Sequence, residues 1–557
     1  MKNSLTALSA VALLASATAF ANDLPEQFRV YPTPKHVSFS GDSAPISALT
    51  AEVRRVTNIA PEGYILAIGK NTRTKFDANQ PSWYFQITAS TDAGERYARA
   101  TFAKLCAKSL DGTVPCCRID DSPDIPYRGL VEGFYGRPWS WEGRRKVMDF
   151  LGHYNLNTYI YGPKDDPYHH AQWREPYPED MAKEFKALLA TARDNNVNFF
   201  WAVHLGDAFT DHSPEAMEKE YAALFAKLGA MYDIGFRSFA AFFDDFGKNG
   251  ADIHATICNR IKDFLDAKGD CSDLIVCPHE YVGDGANDYI RTLGANLKRG
   301  IQLMWTGPNI CTDIPLFYTK AVTANGRRAP FVWWNWPVND FNRGKLIMGR
   351  AYGVDPYPFA GFVTNPMENL EASKPALFSV ADFAWNMKGF DSKRAWNDAF
   401  LELYPSCPAA MRCFADHNSD SAGGPRSEES WLAGWNRLES ENFAATGDLG
   451  LECEAIRGAC RKLTDTLPTA DPALWSEIRN WVAMLDAQAQ EGQAALRKDK
   501  AAYDAAKKLR AEIFERQKDY FTSLAPEWDK KNCTGAITGT RLLQPAIDAA
   551  AAAAFAK

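Results

Sequence analysis

Two adjacent aspartates, Asp244 and Asp245, close the apolar run Ser238-Phe-Ala-Ala-Phe-Phe243. That run reads as a short buried strand. In a regular strand neighbouring side chains face opposite ways, so one carboxylate of the pair would be driven into the core. An unpaired buried carboxylate is costly and tends to take up a proton. The pair is therefore expected where the strand ends and opens into a cleft. Two carboxylates in different surroundings can there divide the work of acid and base. The competing reading is an Asp-Asp that caps the following turn.

Other polar residues follow apolar runs in the same way: Gly133, Lys164, His204, Glu280, Asn335, Asp340 and Asn365. The runs are Leu130–Gly133, Thr158–Tyr161, Phe199–Val203, Phe239–Phe243, Leu274–Cys277, Ile301–Trp305, Phe331–Trp334 and Gly361–Thr364. Between most of them lie helix-like stretches such as Trp141–His153, Pro178–Asn195, Pro214–Tyr232 and Ala251–Ala267. Eight strands alternating with helices over about 260 residues predict an α/β protein with a (β/α)8 barrel, which gathers all its strand ends on one face. A doubly wound open sheet is the alternative, but no Gly-rich phosphate loop follows the first strand.

Around this barrel the chain divides further, as 557 residues exceed one core. Residues 1–21 read as a signal segment, with Lys2, the apolar stretch Leu5 to Leu14 and the small-x-small site Ala19-Phe-Ala21. The mature chain is then expected to be exported, periplasmic or secreted, with no membrane span. Residues 22–123 predict a small α/β domain, with strands at Glu62–Ile68 and Trp83–Thr88 and a helix from Asp92 to Ser109. The barrel is placed at residues 124–390, and residues 391–557 predict a helical domain. In it Trp431 and Trp435 would share a helix face, and the Ala-rich tail from Ala549 is expected to fray.

Composition narrows the function classes. A net charge of −7 argues against nucleic-acid binding. Aromatic residues make up 13% of the chain, with 16 Trp, which suits a sugar-binding cleft as well as a core. Twelve cysteines in an exported chain suggest disulfides, and the local candidates are Cys106 with Cys116 or Cys117, Cys258 with Cys271, and Cys407 with Cys413. Cys277, at a strand end, reads as a free thiol lining the cleft. No cysteine or histidine spacing matches a metal site, so neither metal nor organic cofactor is expected.

The stretches Arg128–Gly136, Asn157–Tyr168, Phe242–Asp245, Cys277–Tyr281, Met304–Gly307, Trp333–Asp340 and Gly361–Glu368 together resemble glycoside hydrolase family 84, the bacterial β-N-acetylglucosaminidases similar to O-GlcNAcase. The resemblance implies retaining hydrolysis assisted by the substrate's own 2-acetamido group, with Asp244 polarising that group and Asp245 as general acid and base. By the same resemblance Gly133 and Lys164 would bind the sugar 3-hydroxyl, and Asp340 and Asn335 the 4- and 6-hydroxyls. Asn365 would reach the scissile bond, and Tyr281 the acetamido oxygen. Tyr135, Cys277, Thr306 and Trp333 would wall the acetyl methyl. His279 and Leu205 depart from the family pattern, and His204 is expected to be a packed barrel histidine, with a ligand-facing role as the alternative. The implied partners are β-GlcNAc-terminated glycans or glycoproteins. Alternatives are an endo-acting hyaluronidase-type enzyme and an inactive carbohydrate-binding barrel.

Overall fold

The computed structural model describes residues 24–71, 82–245, 249–420 and 439–556. The chain falls into two compact units, Met1–Pro123 and Asp124–Lys557. The expected signal segment, and Trp431 with Trp435, lie outside the described residues.

The first unit contains β1 (His36–Pro45), β2 (Ala51–Arg55), β3 (Tyr64–Lys70), β4 (Trp83–Ala89), α1 (Asp92–Ala107) and β5 (Thr113–Asp121). They form a five-stranded sheet in the order β1-β5-β3-β4-β2. The helix begins at Thr91, whose side chain accepts the Gly94 N–H, and buries Tyr97, Ala98 and Leu105. The sequence signals β3, β4 and α1 but not the other three strands. β1 and β2 are mostly half-buried or exposed and carry little apolar alternation, and β5 contains Pro115, which argues against a strand.

The second unit holds a closed barrel of parallel strands: β6 (Tyr127–Glu132), β7 (Thr158–Tyr161), β8 (Asn198–His204), β9 (Ser238–Phe242), β10 (Leu274–Cys277), β11 (Ile301–Trp305), β12 (Phe331–Trp334) and β13 (Gly361–Thr364). β13 pairs with β6 to close the ring. Helices α2 (Trp141–His153), α3 (Glu179–Asp194), α4 (Pro214–Ile234), α5 (Ala251–Asp266), α6 (Asp288–Asn296), α7 (Leu316–Gly326) and α8 (Leu370–Trp385) follow the strands in turn, except after β12. There a long connection, residues 335–360, runs directly to β13. Strands covered on both faces must be apolar throughout, and β7, β10, β12 and β13 are buried at every position. This is why they read as continuous apolar runs.

Side chains alternate between barrel interior and helix layer. Ala240 and Phe242 of β9 join Val131, Ile160, Phe200, Cys277, Met304 and Trp333 in the interior cluster. Phe243 faces the other way and packs against His254 of α5, with ring centroids 4.1 Å apart and planes tilted by 33°. By this parity Asp244 continues inward and Asp245 would turn outward.

After α8 come α9 (Ser392–Leu403), α10 (Pro408–Asp416), α11 (Glu441–Thr446), α12 (Leu449–Ala470), α13 (Pro472–Leu496), α14 (Lys500–Leu524) and α15 (Leu543–Phe555). α13 packs against α8, α12, α14 and α15. The Ala-rich tail, expected to fray, is helical as far as Phe555, because Leu543, Ile547 and Ala551 bury one face of α15.

The cysteine pairs suggested by spacing do not form. All twelve thiols are free. Each proposed pair joins a buried cysteine (Cys116, Cys117, Cys258 or Cys407) to a partly exposed one (Cys106, Cys271 or Cys413). No described helix is long and apolar enough to cross a membrane.

Candidate active site

The strand ends open into a cavity of about 760 Å³, within the usual range for small-molecule sites. All twelve site residues singled out from the sequence line it: Gly133, Tyr135, Lys164, Asp244, Asp245, Cys277, Tyr281, Thr306, Trp333, Asn335, Asp340 and Asn365. Glu280, grouped with them as a strand-end carboxylate, does not line it and instead lies in a neighbouring recess beside His279.

The parity problem at the aspartate pair is solved by the backbone. Asp245 has φ 60°, the left-handed region, which costs a residue with a Cβ about 1–2 kcal/mol and which Asp tolerates better than most. The turn at Asp245 brings its side chain round to the cavity that Asp244 already faces.

The two carboxylates have different surroundings. Asp244 is buried, and its Oδ2 accepts from the Lys164 ammonium at 2.6 Å. Burial pushes its pKa up, but Lys164 and then His204 outweigh that and hold it below the usual carboxylate range. Its Oδ1 accepts no hydrogen bond from the described residues. Asp245 is one-third exposed at the side chain, and two phenols hold it: Tyr135 donates to Oδ2 at 2.8 Å and Tyr281 to Oδ1 at 2.9 Å. Burial alone would lower the Lys164 ammonium, but Asp244, then Tyr135 and Asp245, outweigh it and hold its pKa above the ordinary value. The loop that carries Lys164 is fixed by Asp166, which accepts from the hydroxyls of Tyr161 and Tyr177 and from the Tyr168 N–H.

Within the protein, several of these residues also have partners of their own. Lys164, assigned to a sugar hydroxyl, is ion-paired with Asp244 because a buried carboxylate is the strongest partner within reach. Tyr281 and Tyr135, assigned to the acetamido group, give their hydroxyls to Asp245. Asn335 Oδ1 accepts from Trp333 Nε1 at 2.9 Å and Asn365 Nδ2 at 3.0 Å, and its Nδ2 donates to Ile310 O. Asn365 Oδ1 accepts no hydrogen bond from the described residues. Asp340 Oδ2 accepts the Tyr135 N–H, and burial pushes this carboxyl up to about 6. Cys277 is a buried free thiol whose pKa burial raises well above normal. The Thr306 hydroxyl bonds the Asn309 carbonyl at 3.2 Å. Gly133 has no room for a side chain: an added Cβ would lie 2.4 Å from the Trp333 ring, so only glycine lets that indole close the wall.

The sequence did not point to Trp528, Lys531 and Asn532, which also line the cavity. Trp528 meets the Tyr135 ring edge-on, with centroids 5.4 Å apart. The next residue, Asp529, is buried and ion-paired at 3.1 Å with Arg343, which also binds Glu368. Glu368 accepts the Arg137 N–H two residues beyond Tyr135. A segment almost four hundred residues further along the chain is thus tied to the cavity rim, and no local pattern announces it. His170 and His204 line the cavity as well, and His204 is at the same time buried in the barrel.

Residues 128–416 match the family described as beta-N-acetylglucosaminidase. The chain belongs to the β-N-acetylglucosaminidase family. It is 35% identical over 283 residues to the protein O-GlcNAcases of Rattus norvegicus and Mus musculus. That stretch is 47% of this chain, and it spans only 30% of the length of those relatives. In fold, the chain is similar to CpGH84D (TM-score 0.77, 23% identity, 95% of this chain and 99% of that one). It is similar also to a mutant of the Thermobaculum terrenum O-GlcNAc hydrolase (TM-score 0.61, 24% identity, 77% and 95%). These likenesses agree with glycoside hydrolase family 84, the β-N-acetylglucosaminidase family that the sequence motifs resemble. The family match runs from β6 to the last residue of α10, so Trp528, Lys531 and Asn532 are the cavity residues that lie beyond it.

Proposed function

We propose that this chain is an exported, retaining exo-β-N-acetylglucosaminidase in which the substrate's 2-acetamido group is the nucleophile. The observation that carries the reading is the division of labour between adjacent carboxylates in one cavity, one ion-paired with Lys164 and the other held by two phenols. In the first step the acetamido oxygen attacks C1 and the glycosidic bond breaks. Asp244, kept anionic by Lys164, accepts the hydrogen bond of the acetamido N–H as that group gains positive charge. Protonated Asp245 gives its proton to the departing oxygen. In the second step the Asp245 carboxylate takes a proton from water, which opens the oxazoline at C1 on the face the leaving group vacated. Fixing the amide beneath C1 replaces a bimolecular encounter by an intramolecular one, worth up to about 7–11 kcal/mol in well-oriented cases. Carboxylate separation does not predict stereochemistry for substrate-assisted enzymes.

Asp340 and Asn335 are assigned to the 4- and 6-hydroxyls, which would close the pocket beyond the non-reducing end and favour single-sugar release. Relatives named O-GlcNAcase and O-GlcNAc hydrolase support GlcNAc O-linked to protein as a substrate, with mucin-type glycans as a second source of terminal β-GlcNAc. Export rests on the segment at residues 1–21. The test is hydrolysis of an aryl β-GlcNAc followed by proton NMR: β-GlcNAc should appear first and mutarotate later. An α product contradicts retention, and internal cleavage of hyaluronan oligomers contradicts the exo mode.

A further inference from the structure

The peptide joining Asp244 to Asp245 has left the ladder between β8 and β9. The last register pair is His204 with Phe242, after which Leu205 N–H donates to Phe242 O at 2.8 Å. β8 then turns away through Gly206, and among the described residues no backbone N–H bonds the Asp244 carbonyl. The His204 side chain takes its place: Nε2 lies 2.9 Å from Asp244 O. Its other nitrogen, Nδ1, lies 3.4 Å from the Gly206 N–H. A backbone N–H can only donate, so Nδ1 accepts and the ring hydrogen sits on Nε2, directed at Asp244 O. The ring is 2% exposed, and the His204 backbone N–H is bound to His169 O at 2.9 Å.

We infer that His204 is a positioning residue whose Nε2–H holds the Asp244 carbonyl, and with it the peptide plane that lets Asp245 take a left-handed backbone and share the cavity with Asp244. The orientation of that plane sets φ at Asp245, and φ decides whether the second carboxylate faces the cavity or the helix layer. The hydrogen bond does locally what strand pairing cannot, because a continued ladder would restore alternation and turn Asp245 outward. A neutral ring suits the task. Burial holds His204 down to about 4 against the pull of Asp244, so the same nitrogen keeps its hydrogen across the neutral range.

The activity part of this inference rests on the reading of Asp245 as the acid, while the structural part does not. The test compares His204→Phe, which keeps a ring but no donor, with His204→Gln, whose amide can donate from a similar place. His204→Phe should lower kcat on methyl β-GlcNAc by about 100-fold and on an activated aryl β-GlcNAc by under about 10-fold, with KM little changed, as expected for a misplaced acid. His204→Gln should recover most of the loss. Equal losses on both substrates, or a Gln variant no better than Phe, overturn the inference. Should His204→Phe fail to fold, nitrogen-15 NMR of the wild-type ring decides. Hydrogen on Nε2 supports the assignment, and hydrogen on Nδ1 overturns it. If the wild-type chain cleaves no aryl β-GlcNAc, the proposed function fails, and the NMR result still judges the role of His204.

Discussion

Two buried histidines stand beside carboxylates in this molecule, His204 at the barrel mouth and His417 among the C-terminal helices, and they hold opposite charge states. His417 is wholly buried, with Nδ1 2.9 Å from Glu439 and Nε2 2.7 Å from Glu452. Burial alone would lower it, but the two carboxylates lift it to about 9. Glu439 also accepts the N–H groups of Arg541 and Leu542 just before α15. The cluster therefore ties α10, α12 and the start of α15 together, with both carboxylates on one imidazolium and Glu439 bonded to backbone N–H groups as well. At the barrel mouth, burial wins and His204 stays neutral, because Lys164 takes the Asp244 charge. Asp244 Oδ1 is left accepting no hydrogen bond from the described residues. A charge cluster closed on itself holds a fold together, whereas one left with a spare acceptor in a cavity is equipped for chemistry.

Variants at the two clusters should separate these roles. Asp244→Ala should cost about 10³-fold or more in kcat even on activated aryl β-GlcNAc, since formation of the intermediate is impaired. Near-normal turnover of that substrate would remove Asp244 from the polarising role. Asp245→Ala should lose about 10²–10⁴-fold on poor leaving groups and far less on activated ones; a uniform loss contradicts the acid role. His417→Ala strands two buried carboxylates and should cost about 3–5 kcal/mol of stability in denaturant unfolding, with kcat of the folded fraction unchanged. A kcat loss without destabilisation would erase the contrast between the clusters.

Smaller effects sharpen it. The folded pKa of His417 is raised from 6.5 to about 9, so its contribution is fully present below pH 6.5 and disappears as pH rises through 9. That difference corresponds to about 3 kcal/mol, and His417→Gln should abolish this part of the wild-type decline. An unchanged pH profile in the variant would show that the charge of His417 is not what stabilises. Lys164→Met removes the ammonium that lowers Asp244, so the acid limb of the kcat/KM profile should move up by about one unit or more. No movement would mean that Asp244 does not set that limb.

The barrel was legible because strands covered on both faces are mostly apolar, and five of them (β7, β10, β11, β12 and β13) begin and end where the sequence places them. The site was legible because a barrel collects its strand ends, so polar residues scattered from Gly133 to Asn365 had to converge. What escaped depends on geometry without a local signature. The left-handed backbone of Asp245 has no glycine to announce it. A histidine at a strand end looks the same whether it packs or holds a carbonyl, as His204 does. The loop motif that carries Lys164 is readable in the sequence, but its buried ion pair with Asp244 is not. Trp528 is held at the cavity by contacts such as the Tyr135 ring and the Asp529–Arg343–Glu368 ion cluster, which no periodicity encodes.

The most direct measurement of the central claim is kcat/KM for aryl β-GlcNAc substrates whose N-acetyl group carries none, one, two or three fluorines. Fluorine drains electron density from the amide oxygen, so rates should fall steeply with each substitution if that oxygen attacks C1 beside Asp244. Rates that stay level across the series would show that the amide takes no part, and the account of the paired aspartates would be wrong.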